Sequence, residues 1–140
     1  FSKVYGMAGL RVGYLIAKPE IAAQIRKNVV AMSNVLAIEA AKEALVDDAF
    51  YQFSLAQNKE AKARIYSLLD QLKLTYVKSH TNFIFFHAKK DIRELGPVML
   101  AKGVRIGRPF PPFYDWCRIS TGTQEEVSIF IKGMMEVYQG

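Results

Sequence analysis

The sequence of 140 residues has a single cysteine, Cys117, and no long hydrophobic run. One thiol cannot form an internal disulfide, which is typical of proteins in a reducing compartment. No apolar stretch reaches the about 18 residues that a membrane-spanning helix requires. With 51% hydrophobic and 23% charged residues, the composition is that of a globular domain with a core. We therefore expect a cytoplasmic protein that does not associate with membranes.

Runs of one charge are also missing, although the formal net charge is +6. A net positive charge can indicate a nucleic-acid partner. However, basic residues never occur more than two in a row, as in Arg26-Lys27 and Lys89-Lys90. Scattered basic residues are typical of solvated helix surfaces, so we predict no nucleic-acid partner.

The sequence offers no cluster of metal ligands. His80 and His87 lie seven positions apart, with no cysteine or carboxylate at the spacing of a zinc site, so we predict no metal site. Cys117 directly precedes Arg118, and two interpretations of it stay open. It is either a thiol with a lowered pKa or a small buried hydrophobic residue.

An initiator methionine is absent, because the chain begins at Phe1. A dense pattern of glycines and cations fills the first fourteen residues, whereas natural N-termini usually fray. We interpret the chain as a piece of a longer protein.

The first half of the chain predicts a loop, a buried strand and three helices. Three glycines precede the apolar run 14–17, which is typical of a loop that leads into a buried strand. Pro19 and Glu20 suit the first turn of a helix, and apolar residues at helical spacing extend it to residue 32. Ser33-Asn34 breaks this pattern. Two more helices are predicted over 36–45 and, after a cap at Asp47-Asp48, over about 49–72.

From about residue 73 onward, strands and helices alternate, which predicts a small α/β unit. Asp91 is suited to cap a helix that ends near Gly103, and Thr123 with Glu126 forms a capping-box pattern that opens a final helix. The proline-rich segment 108–112 cannot be a central strand. Short apolar and aromatic runs predict strands over 75–77, 82–86, 104–106 and 116–120.

Lys3 and Arg11 stand eight positions apart in a segment that contains three glycines. Glycine allows the backbone to approach a ligand closely. Lysine is the amine that forms Schiff bases, and arginine presents a planar fork to phosphate oxygens. Together they suit a cofactor that carries both an aldehyde and a phosphate. The residues alone are also compatible with a glycine-rich loop that bears two solvated cations.

The segment 2–14, with the sequence SKVYGMAGLRVGY, resembles the lysine motif of fold-type I pyridoxal-phosphate-dependent aminotransferases, particularly the histidinol-phosphate aminotransferase branch. The resemblance implies that Lys3 is the catalytic residue and that it binds pyridoxal 5'-phosphate covalently. It also implies that Ser2 and Arg11 bind the cofactor phosphate. Lys3 would then move the proton between the substrate α-carbon and the cofactor.

A second segment, 118–126 with the sequence RISTGTQEE, resembles the C-terminal motif of the same family. By that resemblance Arg118 binds the substrate α-carboxylate; otherwise it is an edge-strand arginine paired with a carboxylate such as Glu125. Arg108 resembles the arginine that, in the histidinol-phosphate branch, reaches the distal phosphate of the substrate, or else it lies on a proline-rich rim. Arg105 is the weaker candidate, because strand alternation separates it from Arg108.

The resemblance covers nearly the whole chain and implies an α/β fold in three parts. Residues 1–17 would end the large cofactor-binding domain and its sheet, residues 18–57 would be connecting helices, and residues 58–140 would form a small C-terminal α/β domain. In this family further groups that hold the cofactor ring lie upstream. We therefore expect the 140-residue chain alone to be inactive and to bind the cofactor poorly.

The reaction implied by the resemblance is the transfer of an amino group between small molecules in a homodimer. Histidinol-phosphate is the leading substrate, and glutamate with 2-oxoglutarate is the other pair. Two alternatives stay open. One is a pyridoxal-phosphate-dependent decarboxylase of a phosphorylated amino acid, and the other is a non-catalytic α/β interaction module.

Overall fold

The computed structural model describes residues 1–32 and 34–140, which form two compact units. The first unit is Phe1–Leu55 and the second is Ala56–Gly140. No helix in the described ranges is long and apolar enough to cross a membrane. The first unit holds a short 3-10 helix (Ala8–Leu10), helix α1 (Pro19–Lys27), helix α2 (Val35–Val46) and the start of helix α3 (Asp48–Gln71).

Side-chain caps explain where the helices of the first unit begin. The Oδ1 atom of Asn34 accepts hydrogen bonds from the backbone N–H groups of Leu36, at 3.0 Å, and Ala37, at 3.3 Å. Asp47 Oδ1 accepts one from Phe50 N–H at 2.9 Å, which confirms the predicted cap of α3. Of the predicted break at Ser33-Asn34, Ser33 lies outside the described residues and Asn34 is the cap of α2.

Two predictions for the first unit are wrong. The run 14–17 is not a strand, because no strand in the described part of this unit lies beside it to share backbone hydrogen bonds. Helix α1 ends at Lys27 rather than at residue 32. Its apolar side chains Ile21 and Ile25 are exposed, so this helix gains little from the burial that extends short helices.

The second unit is built on an antiparallel sheet in the order β1-β2-β3. The register of the central pair places Phe83 opposite Ser120 and Phe85 opposite Arg118. Because side chains alternate along a strand, one face of the sheet is buried and the other is half-buried. The strands are β1 (Tyr76–Val77), β2 (Phe83–His87) and β3 (Trp116–Ser120).

The buried face of this sheet packs against three helices and forms the core of the second unit. The helices are the second half of α3, α4 (Ile92–Ala101) and α5 (Gln124–Gln139). Each large apolar side chain that is fully buried contributes about 1.5–3 kcal/mol to stability. The largest of them are Phe86, Ile65, Leu69, Ile84, Met99 and Met134. This combination of helices and sheet confirms the predicted α/β class.

The ends of α4 and α5 also follow the sequence prediction. Asp91 Oδ1 accepts a hydrogen bond from Arg93 N–H at 2.8 Å, and Gly103 follows α4 with a φ of +83°. At α5, Thr123 N–H donates to Glu126 Oε2 at 2.7 Å and Glu126 N–H donates to Thr123 Oγ1 at 3.2 Å. These reciprocal bonds confirm the predicted capping box.

The predicted strand 104–106 is wrong. The segment is joined to β3 by a bond from Gly107 N–H to the Arg118 carbonyl oxygen at 2.8 Å, but no ladder develops. Pairing cannot continue past Arg108, because Pro109 and the prolines after it lack the N–H groups that a strand needs. The proline-rich segment contains an isolated bridge between Phe110 and Phe113 and, as predicted, no central strand.

Candidate active site

The loop that carries Lys3 is shaped by a turn and a short helix. Gly6 N–H donates to the Lys3 carbonyl oxygen at 2.9 Å, and Gly6 has a φ of +67°, which residues other than glycine rarely adopt. The 3-10 helix then ends at Arg11, whose own backbone is left-handed with a φ of 53°. This geometry turns the chain sharply on both sides of the segment 7–10.

Aromatic side chains pack behind this loop. The ring centroid of Tyr5 lies 5.3 Å from that of Phe1 and 5.8 Å from that of Tyr51 in α3. Phe1 also meets Tyr14 edge to face at 5.6 Å. Such pairs stabilise the packing beyond area burial alone. These contacts hold the backbone of the loop, while Ser2 and Lys3, between Phe1 and Tyr5, are exposed.

The donor set on this loop fits pyridoxal 5'-phosphate. Ser2, Lys3 and Arg11 are all exposed. Arg11 donates from Nη1 to the Ala8 carbonyl oxygen at 2.8 Å, and because a guanidinium has five N–H groups, it retains donors for a phosphate. The amine of Lys3 suits the aldehyde of the cofactor, and the hydroxyl of Ser2 suits its phosphate.

Arg118 lies on the half-buried face of β3. Its guanidinium carbon Cζ is 4.1 Å from the centroid of the Phe83 ring in β2. None of the four ion pairs found in the described ranges involves Arg118, so the alternative of a pair with Glu125 is not what the structure contains. The arginine fork is therefore ordered by a ring, and its N–H groups are available for an anion.

A continuous aromatic face surrounds Arg118. Phe85 stacks on Trp116 with centroids 5.0 Å apart, and Phe110 meets Phe85 edge to face at 6.0 Å. At the end of the face, His87 Nε2 and Asp115 Oδ2 are 2.7 Å apart. The sheet thus presents a flat apolar surface with polar groups at its edges.

Arg108 shares this face, and Arg105 does not. The Cζ atom of Arg108 lies 4.7 Å from the Phe110 centroid, and the neighbouring Gly107 is hydrogen-bonded to the backbone of Arg118. Arg105 lines a different cleft of about 270 Å³, beside Glu126. The structure therefore brings Arg108 and Arg118 to one side of the second unit, and Ser2, Lys3 and Arg11 to one loop of the first.

Cys117 has the surroundings of a core residue. Cys117 is fully buried, and burial raises the pKa of its thiol to about 12, which supports a small buried hydrophobic residue rather than a lowered-pKa thiol. In the described part of the chain, His, Cys, Asp and Glu side chains form no group of three that could hold a metal ion.

The stacking of Phe83 on Arg118 and of Phe110 on Arg108 is a feature that the sequence motifs did not predict. The signal was present in the alternation of β2, where Phe83, Phe85 and His87 occupy every second position. Such alternation predicts one aromatic face, but not which ring meets which cation. The pairing depends on the register with β3 and on the path of the loop 107–110.

Comparisons with known proteins agree on one family. A family model described as "Aminotransferase class I and II" matches residues 1–134. Histidinol-phosphate aminotransferase from Moorella thermoacetica is 41% identical over 145 residues. Two solved structures are similar as well. Histidinol-phosphate aminotransferase from Sinorhizobium meliloti in complex with pyridoxal-5'-phosphate has a TM-score of 0.84 at 26% identity, and L-threonine-O-3-phosphate decarboxylase from Porphyromonas gingivalis has 0.74 at 29%.

The matches cover nearly all of this chain but only part of each similar protein. The Moorella protein is matched over 98% of this chain and 36% of its own length. The Sinorhizobium structure is matched over 99% and 39%, and the Porphyromonas structure over 100% and 45%. The chain thus spans about two-fifths of the length of these proteins.

Proposed function

Because this chain belongs to the class I and II aminotransferase family, we propose that the whole protein is a pyridoxal-phosphate-dependent aminotransferase. The leading substrate is histidinol-phosphate, with glutamate and 2-oxoglutarate as the other amino donor and acceptor. The observation that carries the proposal is the loop with Ser2, Lys3 and Arg11, whose exposed amine, hydroxyl and guanidinium match the two functional ends of the cofactor. The 41% identity to a histidinol-phosphate aminotransferase supports the choice of substrate.

Each residue of the candidate site has a distinct role in this proposal. Ser2 and Arg11 would hold the phosphate of the cofactor, and Lys3 Nζ would hold its aldehyde end. When bound, pyridoxal phosphate withdraws electrons from the substrate α-carbon and makes its proton acidic. The amine of Lys3 would be the group that moves this proton between the substrate α-carbon and the cofactor.

Two arginines orient the substrate. Arg118 binds the α-carboxylate of the amino-acid substrate through its planar fork. Arg108, on the same face, binds the distal phosphate of histidinol-phosphate. Holding both ends of the substrate orients the α-carbon for proton removal. Orientation in the bound state lowers the entropic cost of reaching the transition state.

The proposal extends to the organisation of the whole protein. Residues 1–17 belong to the end of a large cofactor-binding domain, residues 18–57 connect the domains, and residues 58–140 form a small C-terminal domain. The protein is a cytoplasmic homodimer that acts on small molecules. The buried thiol of Cys117, which is the only cysteine of this chain, supports the reducing compartment.

Chemical trapping tests the cofactor and the lysine together. The whole protein is mixed with pyridoxal phosphate, reduced with borohydride, digested and analysed by mass spectrometry. We expect a pyridoxyl adduct on Lys3. A Lys3→Ala variant should give no adduct on this peptide. Its kcat should fall at least about 100-fold, because it lacks the group that moves the proton.

Two results would contradict the proposal. A folded protein that gives no adduct on Lys3 would favour a non-catalytic α/β interaction module. An adduct on another lysine, with Lys3 unmodified, would show that the lysine assignment is wrong while the cofactor remains.

A decarboxylase of a phosphorylated amino acid is the second candidate. It is favoured by the similarity to L-threonine-O-3-phosphate decarboxylase, at 29% identity over the full chain. The two reactions differ in product. Incubation with O-phospho-L-threonine should release carbon dioxide only from a decarboxylase, whereas histidinol-phosphate with 2-oxoglutarate should yield glutamate only with an aminotransferase.

A further inference from the structure

We propose that Phe83 is a positioning residue that holds the Arg118 guanidinium ready for a carboxylate. The inference rests on the proposed role of Arg118 and adds a second residue to it. Phe83 touches no reacting atom in this proposal. It acts through the arginine whose plane it covers.

The register of the sheet gives Phe83 this position. Phe83 pairs with Ser120, so it is the diagonal neighbour of Arg118 on the same face. The directly opposite residue, Phe85, stacks on Trp116 instead. Phe83 is thus the ring that is left to stack on the guanidinium, and its centroid lies 4.1 Å from Arg118 Cζ.

A ring is a better support for this arginine than a carboxylate would be. A carboxylate partner accepts N–H groups, and a substrate would have to displace it. A ring contacts the guanidinium through its face and leaves the N–H groups at the edge of the plane free. The stacked side chain also has fewer rotamers to lose when the substrate binds.

The backbone of Arg118 is fixed as well. Gly107 N–H donates to the Arg118 carbonyl oxygen at 2.8 Å, and β2 pairs with β3 on the other side. With the backbone held by hydrogen bonds and the side chain by stacking, the guanidinium has one preferred position. Removing the ring therefore loosens the side chain without moving the strand.

The test uses the whole protein loaded with pyridoxal phosphate, and glutarate as an unreactive dicarboxylate. The Kd of glutarate is measured by calorimetry for Phe83→Leu, for Phe83→Tyr and for Phe113→Leu as the matched control. Phe113 is half-exposed on the loop and offers the same chemical change. We expect Phe83→Leu to weaken glutarate binding about 3- to 10-fold, which is the range of a partly buried cation–π contact. Phe83→Tyr and Phe113→Leu should keep the original Kd.

Two further measurements separate positioning from packing. The affinity for pyridoxal phosphate should stay unchanged in Phe83→Leu, because its proposed ligands lie on another segment. In an Arg118→Lys background, Phe83→Leu should have no further effect on glutarate, since the fork it positions is gone. If Phe83→Leu fails to fold, Phe83→Met fills similar space without a ring face and takes its place.

The outcomes distinguish this inference from the proposed function. If Arg118→Lys weakens glutarate binding and neither Phe83→Leu nor Phe83→Met does, the positioning role is overturned and the role of Arg118 stands. If Phe83→Leu weakens pyridoxal phosphate and glutarate equally, Phe83 is only a packing residue. If Arg118→Lys leaves glutarate binding unchanged, the role proposed for Arg118 itself is wrong.

Discussion

Gly107 is where the loop before the proline-rich segment comes closest to β3. A Cβ atom at this position would lie 2.7 Å from the Arg118 carbonyl oxygen and 3.1 Å from Arg118 Cβ. Neither atom can move without displacing the strand. We expect Gly107→Ala to lower the free energy of unfolding by about 1–3 kcal/mol, as overpacking does elsewhere. Urea denaturation of the chain measures this change.

Gly13 provides the control for Gly107. It is exposed, and a Cβ atom there would meet nothing within 4 Å. Because alanine restricts the unfolded chain more than glycine does, Gly13→Ala should leave stability unchanged or raise it by up to about 1 kcal/mol. Equal destabilisation by the two substitutions would mean that close approach at Gly107 is not the cause.

Cys117 gives the chain a specific dependence on pH. Its thiol loses a proton near pH 8.5 in the unfolded chain, but burial raises its pKa in the folded chain to about 12. The neutral Cys117 thiol therefore makes its full contribution to the free energy of unfolding below about pH 8.5. This contribution is lost as the pH rises toward 12, because the unfolded chain gives up the thiol proton and the folded chain keeps it. Between pH 8.5 and 10, the chain should lose about 1–2 kcal/mol more unfolding free energy than its Cys117→Ala variant.

The comparison with Cys117→Ala isolates the thiol from the other groups that titrate at high pH. Burial and, to a smaller extent, the charge that Cys117 can carry raise the pKa of Tyr138 to about 12. Since neither group is charged in the folded chain below pH 10, Tyr138 contributes equally to the two proteins in this range. If the urea midpoints of the two proteins fall by the same amount from pH 8.5 to 10, the Cys117 thiol is accessible to water in the folded chain.

The capping box of α5 is the clearest case of an element whose start is encoded locally. Thr123 and Glu126 satisfy each other's backbone N–H groups at 3.2 and 2.7 Å. Thr123→Ala should lower the free energy of unfolding by about 1 kcal/mol, because it removes one acceptor at the first turn. Thr123→Ser keeps the hydroxyl and should keep most of the stability. A similar loss in both variants would point to the methyl group rather than the cap.

The elements that sequence analysis predicted correctly are those with local signals. The caps at Asp47, Asp91 and Thr123 lie within a few residues of the N–H groups they bind, so the pattern of residue types is enough. The segment 104–106 has the right apolar residues and leads to the edge strand β3, but a single backbone bond, from Gly107, joins it to that strand. The run 14–17 has no strand beside it in the described part of its unit. Strand formation depends on partners that the segment itself does not specify.

The residues of the candidate site also divide into those that a local motif reveals and those that depend on contacts between segments. Lys3, Arg11 and Arg118 stand in motifs and could be chosen from sequence, although their roles remain proposals. The contact of Arg118 with Phe83 spans two strands, so it follows from the register and could not be predicted from either segment. The position of Gly107 beside Arg118 depends in turn on the path of a loop that was expected to be a strand.

At the scale of the whole molecule, the two units differ in how much they bury. In the described part of Phe1–Leu55 the buried residues are Ala37 and Ala41. The cluster that forms the core lies entirely within Ala56–Gly140. We therefore expect backbone amides of β2, β3 and α5 to exchange with deuterium far more slowly than those of α1 and α2 in the 140-residue chain. Uniform protection across the two units would contradict this expectation.

The exposed apolar side chains of the first unit affect how a cell would handle the 140-residue chain. Ile16, Val30 and Met32 are 86%, 100% and 94% exposed, and Leu36 and Val46 are also exposed. Surfaces of this kind promote aggregation and local opening, and chaperones and proteases act on such chains. Cleavage would begin within residues 14–46 and leave the second unit as a resistant product. The resistance of the 140-residue chain to proteolysis is therefore limited by this exposed surface, rather than by the strength of its core.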